Sequence, residues 1–302
     1  MFTLAFLSDP HIAPLPKPTI GELASKRLFG YINWQLSRKA VHDRSILDAI
    51  TADLLAQKTD HIAVGGDLIN LALPGEFGPA LDWLKSLGAP EHVSVVPGNH
   101  DAYVVSDHRT GTGLWSNYMC SDVSQLQKQA PGPDSFPYVR RMGRIALIGL
   151  SSAVPKPPFF ASGRLGATQI SALRSSLSDL KKDDLFRVVM VHHPPLPGLS
   201  SKRRGLDDVK ELEAVLLENG AELVLYGHRH IHAIDTLAST PPAPVIGAPS
   251  ASSADAKPGH LARYYLFRIW QSEKHWNCEM IARGLETIDG PIAELERRMI
   301  IG

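Results

Sequence analysis

Short apolar runs recur along the chain, each bounded by Gly, Pro, Asp or Asn: "FTLAFL" from Phe2, "HIAVGG" from His61, "HVSVVPG" from His92, "RIALIGL" from Arg144, "FRVVMV" from Phe186 and "AELVLYG" from Ala221. Runs this short and this rich in Val, Ile and Leu predict strands buried on both faces. Between them the apolar period becomes helical. Ile46, Leu47, Ile50 and Leu54 share a face, as do Ile170, Leu173, Leu177 and Leu180 behind the N-cap candidate Thr168. Leu206, Val209, Leu212 and Leu216 repeat the pattern, with Asp207 near the start and Asn219-Gly220 at the close. In the last third, "APVIGAPSASS", "ARYYLFRIW" and "HWNCEMIARG" read as consecutive strands without helices between them. Alternation followed by a hairpin-rich end predicts an α/β chain of two packed sheets covered by helices. There is no internal repeat, and the Pro-rich stretches "SSAVPKPPFFASG" and "STPPAPVIGAPSASSADAKPG" read as loops, so one domain over residues 1–302 is expected.

Composition changes this picture little. Hydrophobic residues at 44% and charged residues at 21% describe an ordinary globular protein. The formal net charge of zero gives no general attraction to nucleic acid, and the basic clusters at Lys202 to Arg204 and Arg140 to Arg144 are too short for a phosphate-tracking groove. Cys120 and Cys278 stand alone, without a disulfide framework or thiolate zinc site, which fits a reducing, cytoplasmic setting. The opening "MFTLAFLSDPH" has no basic leader and reads as a first strand rather than a signal peptide. No run of eighteen apolar residues predicts a membrane span.

The placement of polar residues carries the chemistry. The first predicted strand ends in Asp9 and His11, the second in Asp67, the third in Asn99 and His100, the fifth in His192 and His193, and the sixth in His228 and His230. Ligands of α/β folds bind beyond the carboxyl ends of strands, so these groups are expected to converge. Asp9-x-His11 and His228-x-His230 also place both side chains on one side of an extended chain. A single such piece is usually a turn or a hydrogen-bonded surface residue. Five in order, each at a strand end, predict a metal site, and carboxylate, amide and imidazole donors together suit Mn, Fe or Zn better than Ca or Mg.

The ordered set "SDPH", "GGD", "GNHD", "HHPP" and "GHRH" resembles the calcineurin-like metallophosphoesterase superfamily, with its D-x-H, G-D, G-N-H-D/E, H and G-H-x-H motifs, over residues 9–230. The "GNHD" and "HHPP" forms look most like bacterial class III cyclic-nucleotide phosphodiesterases. The resemblance implies a four-layer αββα sandwich of two mixed sheets flanked by helices, with two divalent metal ions at the strand ends. One ion would take Asp9, His11, Asp67 and His230. The other would take Asp67, Asn99, His192 and His228, with Asp67 bridging and His193 lining the pocket. Such a centre implies hydrolysis of a small phosphodiester by attack of a metal-bound hydroxide on phosphorus. His100 would then be the acid that protonates the leaving group. In phosphoprotein phosphatases and several relatives this histidine pairs with a carboxylate three residues after the G-D aspartate. Here that position is Asn70, and an amide orients an imidazole without holding it charged. The alternatives are an inactive binding module, a nuclease, and a lipid or nucleotide-sugar pyrophosphatase working at a membrane surface.

Residues 14–41 follow the first motif directly and combine Lys17, Lys26, Arg27, Arg38 and Lys39 with Leu28, Phe29, Tyr31, Ile32 and Trp34. They are expected to form one or two short helices that serve as a structural cap, a lid over the metal centre, or a peripheral membrane contact. His42, His61, His92, His108, His260 and His275 read as surface or strand-start residues, and His232 as a near neighbour that does not ligate. Phe159-Phe160 and Tyr264-Tyr265 read as core or loop anchors. Residues 283–302 read as a tail whose exposed apolar residues would suit a homo-oligomer contact.

Overall fold

Apolar runs become strands here because both of their faces are covered. The computed structural model describes residues 1–105, 107–122, 135–273 and 275–302. The strands among them are β1 (Phe2–Leu7), β2 (His61–Val64), β3 (Val93–Val95), β4 (Tyr138–Met142), β5 (Ile145–Leu150), β6 (Phe186–Val191), β7 (Leu223–Tyr226), β8 (Ala233–Leu237), β9 (Ala243–Gly247), β10 (Arg263–Ser272), β11 (His275–Leu285) and β12 (Ile292–Ile301). The α-helices are α1 (Ile20–Leu23), α2 (Arg27–Leu36), α3 (Arg44–Ala56), α4 (Pro74–Leu87), α5 (Ala167–Lys182) and α6 (Val209–Asn219).

Two six-stranded mixed sheets result, ordered β12-β11-β10-β1-β2-β3 and β4-β5-β6-β7-β9-β8. Alternation along the second sheet separates its two faces. Leu147, Val188, Met190, Leu223 and Leu225 share a core with the first sheet. Their neighbours Ile148, Val189, Val191 and Val224 pack against Leu173 and Leu177 of α5 and Leu212 and Leu216 of α6. Leu47, Ile50 and Leu54 of α3, with Phe77 and Leu84 of α4, bury against the first sheet. The layers therefore run helix, sheet, sheet, helix, as the resemblance implies.

Some expectations need correction. Helix α5 begins at Ala167 behind Gly166, so Thr168 lies inside its first turn and is not the cap. The C-terminal residues form an edge strand, β12, where Ile300 and Ile301 are partly buried against the core and Met299 is exposed. Helix α4 buries Phe77, Ala80, Leu84 and Leu87 on one face, and buried Glu76 in its first turn accepts the Asn70, Leu71 and Leu73 N–H groups and fixes the loop after β2.

What matters for the site is that β1, β2 and β3 run parallel, as do β5, β6, β7 and β9. Their carboxyl ends meet where the two sheets join. There the His228 N–H donates to Asp9 Oδ2 at 3.0 Å and the Asp9 N–H to the Gly66 carbonyl at 2.9 Å.

Candidate metal centre

The loops just past β1, β2 and β7 hold Asp9, His11, Asp67, His228 and His230 at φ 53°, 39°, 54°, 66° and 53°. Left-handed backbone is unusual for residues other than Gly, though Asp and His tolerate it better than most. The alternation expected of an extended chain is therefore not what aims these side chains. Sharp turns beyond each strand do so, and adjacent glycines make room for them. A Cβ on Gly98 would stand 2.2 Å from Asp67 Oδ1, and one on Gly227 would stand 2.4 Å from Asp9 Oδ2.

Donor atoms converge in two groups, Asp9, His11, Asp67 and His230, and Asp67, His192 and His228, and within each group the atoms lie within 4.8 Å of one another. Asp67 is common to both. Its Oδ1 accepts the His100 N–H at 2.7 Å, while Oδ2 faces His11 Nε2 at 3.7 Å and His192 Nε2 at 3.3 Å. One carboxylate oxygen thus looks into both halves of the cluster. Asn99 Oδ1 lies 2.7 Å from His228 Nδ1 and 3.3 Å from His192 Nε2. His230 Nε2 lies 3.0 Å from Asp9 Oδ1 and 3.2 Å from His11 Nε2.

The far sides of the rings fix their tautomers. His11 Nδ1 donates to the Ile69 carbonyl at 3.1 Å and His192 Nδ1 to the Gly65 carbonyl at 2.7 Å, so both Nε2 lone pairs point inward. Metal-binding histidines are oriented by this kind of outer contact. Crowded oxygen and nitrogen lone pairs with backbone-fixed rings fit a pair of divalent cations. Asp101, buried beside them, accepts the Asp67, Leu68, Ile69 and Gly98 N–H groups at 2.8–3.2 Å and so holds the bridging loop against the Gly98 turn.

His100 stands beside this cluster. Its Nδ1 donates to the Asn70 main-chain carbonyl, while the Asn70 side chain turns away to the Ile12 carbonyl. Its Nε2 accepts from Arg38 Nη1 at 2.6 Å. Burial first, and the Arg38 charge second, bring its pKa down to about 3. In this arrangement the ring is a neutral acceptor, in line with the absence of a carboxylate at position 70.

Sequence reasoning misread one residue here and named another, Arg38, only as one cation of the cap. His42 is not on the surface: it is buried, its ring lies 4.4 Å from that of His11, and it groups with His11 and His230 as a third donor set. Arg38 enters from the cap and contacts His100, His11 and His42. The order Arg38-x3-His42, immediately after an insertion that must end at the site, was the available signal. His61 is likewise buried, 2.7 Å from Ser94 Oγ, whereas His92 and His275 are exposed. His193 is buried between Ser152 Oγ and the Ala161 carbonyl, and His232 bonds Tyr265 and Glu296 outside the cluster. Tyr264 and Tyr265 are core residues, while Phe159 and Phe160 are exposed at the site mouth, where Phe159 packs on the Phe29 ring at 5.6 Å.

Relatives show the same architecture. A dimetal phosphatase from Danio rerio superposes with a TM-score of 0.60 at 14% identity, covering 99% of this chain and 98% of that one. A purple acid phosphatase from yellow lupin (Lupinus luteus) seeds gives a TM-score of 0.58 at 12% identity, covering 97% of this chain and 52% of that one. These likenesses establish the fold alone. A probable cyclic nucleotide phosphodiesterase of Synechococcus sp. (strain WH7803) is 32% identical over 98 residues, which is 30% of this chain and 35% of the relative. The chain thus spans about a third of the length of that curated relative. The calcineurin-like phosphoesterase model matches residues 2–232, most of the chain, which therefore belongs to the calcineurin-like phosphoesterase family.

Proposed function

We propose that this protein is a binuclear metal-dependent phosphodiesterase acting on small phosphodiesters, with cyclic nucleotides as the first candidates. The observation that carries this reading is the single Asp67 oxygen facing both donor groups. One ion would be held by Asp9, His11, Asp67 and His230, and the other by Asp67, Asn99, His192 and His228. Mn, Fe or Zn suits these donors. Bound there, the ions would supply an activated water and offset charge on the phosphoryl oxygens. The chain's own part is to fix ligand geometry through Gly65, Ile69 and Asp101, and to set His100 and Arg38 beside the reacting ester. Cyclic nucleotides, bis(p-nitrophenyl) phosphate, glycerophosphodiesters, nucleotide-diphosphate sugars and phosphomonoesters, assayed with Mn, form the test. Diesters are expected to turn over faster than monoesters, chelation to abolish the reaction, and added Mn to restore it. A preference for monoesters would overturn the diesterase assignment, and two bound metals without any hydrolysis would favour a binding module.

One observation supports a second reading, an amphiphilic ester met at a membrane surface. No helix among the described residues is long and apolar enough to cross a membrane. However, Ile20, Leu36 and Phe159 around the cap are 91%, 82% and 81% exposed, with Leu28, Phe29 and Ile32 exposed beside them. Exposed apolar side chains clustered among cations suit an interface with anionic lipid. The protein is then expected to sediment with anionic liposomes and to be released by salt. Absence of sedimentation at low salt removes this reading and leaves the first untouched.

A further inference from the structure

We infer that Arg38 is a catalytic residue that grips the substrate's phosphoryl oxygens, a guanidinium carried into the metal centre by the cap. The inference rests on the phosphoesterase reading above and assigns the cap a chemical role in it.

The cap is fixed against the site. Arg27 donates to the Leu71 and Ala72 carbonyls, and Lys26 to the Lys156 carbonyl at 2.6 Å. A Cβ on Gly30 would stand 2.6 Å from both Leu71 and Tyr103, so α2 lies directly on the loop that follows Asp67. Trp34 is buried and its ring is stacked on His42 at an interplanar angle of 2°. Helix α2 ends at Leu36 with Ser37 as its cap, and the 3-10 turn Arg38–Ala40 aims the partly buried Arg38 inward.

Asp67 and Asp9 act on that guanidinium only as longer-range charges. Its polar contacts are His100 Nε2 at 2.6 Å, His11 Nε2 at 3.0 Å and His42 Nε2 at 3.4 Å, and no carboxylate among the described residues pairs with it. Other inward arginines of this chain are compensated: Arg187 pairs with Glu222 at 2.7 Å, Arg283 with Asp53 at 2.8 Å, and Arg140 donates to the Cys120, Val93 and Asn117 carbonyls. A cation withdrawn from water is costly unless paired, which makes an unpaired one a receptor for a negative group.

The imidazoles do not satisfy it either. His11 uses Nδ1 on the Ile69 carbonyl, so the nitrogen facing Arg38 is the same inward lone pair that a cation would occupy. His42 is tied through Nδ1 to Ser252 Oγ at 3.0 Å. His100 Nε2 is a free acceptor and takes Nη1, while His42 Nε2 stands 3.4 Å from Nη2, at the limit of a hydrogen bond. Because Nη2 lies 3.0 Å from His11 Nε2, a donor atom of the first group, an anion bound at that centre would lie within reach of the fork. A planar fork matches a pair of phosphoryl oxygens in a way that an ammonium does not. The ester's organic part then has a cleft of about 460 Å³ to enter, beside His100, between Phe29, Tyr103, Phe159 and Phe160.

The test uses the metal-loaded full chain with inorganic phosphate as the probe. Arg38→Met is expected to keep two equivalents of metal and the wild-type melting temperature while binding phosphate roughly 10- to 100-fold more weakly by titration calorimetry. Arg38→Lys keeps the charge without the fork and is expected to fall between the two. Phosphate affinity unchanged in Arg38→Met, with both metals present, overturns the inference. Loss of metal in that variant also overturns it, because Arg38 would then support the ligands rather than the substrate. Should Arg38→Met not fold, Arg38→Lys decides alone, and wild-type affinity there overturns the inference. Absence of metal-dependent phosphate binding in the wild type is a different failure, that of the phosphoesterase reading itself.

Discussion

Asp67→Ala is expected to drop hydrolysis to background and to leave the purified protein with fewer than two equivalents of metal. One oxygen of this carboxylate faces both donor groups, and the other accepts the His100 N–H, so its removal opens both halves of the cluster and frees the neighbouring loop. Alanine also fits poorly at φ 54°, where a left-handed backbone costs roughly 1–2 kcal/mol for a residue with a Cβ. Asp67→Asn separates the two effects, because asparagine accepts that conformation while lacking the charge. It is expected to fold as stably as the wild type and still to lose metal. The measurements are metal content by elemental analysis, thermal unfolding, and hydrolysis of bis(p-nitrophenyl) phosphate. Two equivalents of metal with full activity in Asp67→Ala would sink the bridging assignment.

The second large effect expected is at His100. Since the ring is neutral and accepts from Arg38, His100→Ala is expected to slow hydrolysis roughly 10- to 100-fold, the scale for a group that orients another, with metal content unchanged. The loss should be similar for an alkyl diester and for bis(p-nitrophenyl) phosphate, whose leaving group needs no proton. Phosphate affinity should fall as it does in the Arg38 variants, because the guanidinium loses its anchor. A markedly larger loss on the alkyl ester would instead make His100 the leaving-group acid that the motif suggested. In that case the proton would have to displace the Arg38 contact before transfer.

The strands and the donor set were legible because each depends on local pattern: an apolar run with both faces covered, then a polar residue at its end. What decided the rest lies between distant segments. The contact of His42 with His11 follows from the cap running back across the site, and no period in the sequence encodes that path. Asn70 had been expected to act through its amide, but the side chain turns to Ile12 and the main-chain carbonyl takes over. Main-chain groups are the same at every position, so their roles are invisible in residue types. Phe159 and Phe160 read as core or loop anchors; their exposure follows from a loop whose course the run of prolines did not specify.

The left-handed turns at Asp9, His11, Asp67, His228 and His230 bear on how this chain can drift. A lineage that abandoned metal chemistry would be released from the demand for oxygen and nitrogen donors, yet the backbone would still refuse most replacements at these five places. Glycine and asparagine are the cheapest exits, and β-branched residues are the most strained. Decayed descendants should therefore keep the shape of an emptied site in their loops long after its chemistry is gone, with Gly and Asn standing where ligands stood.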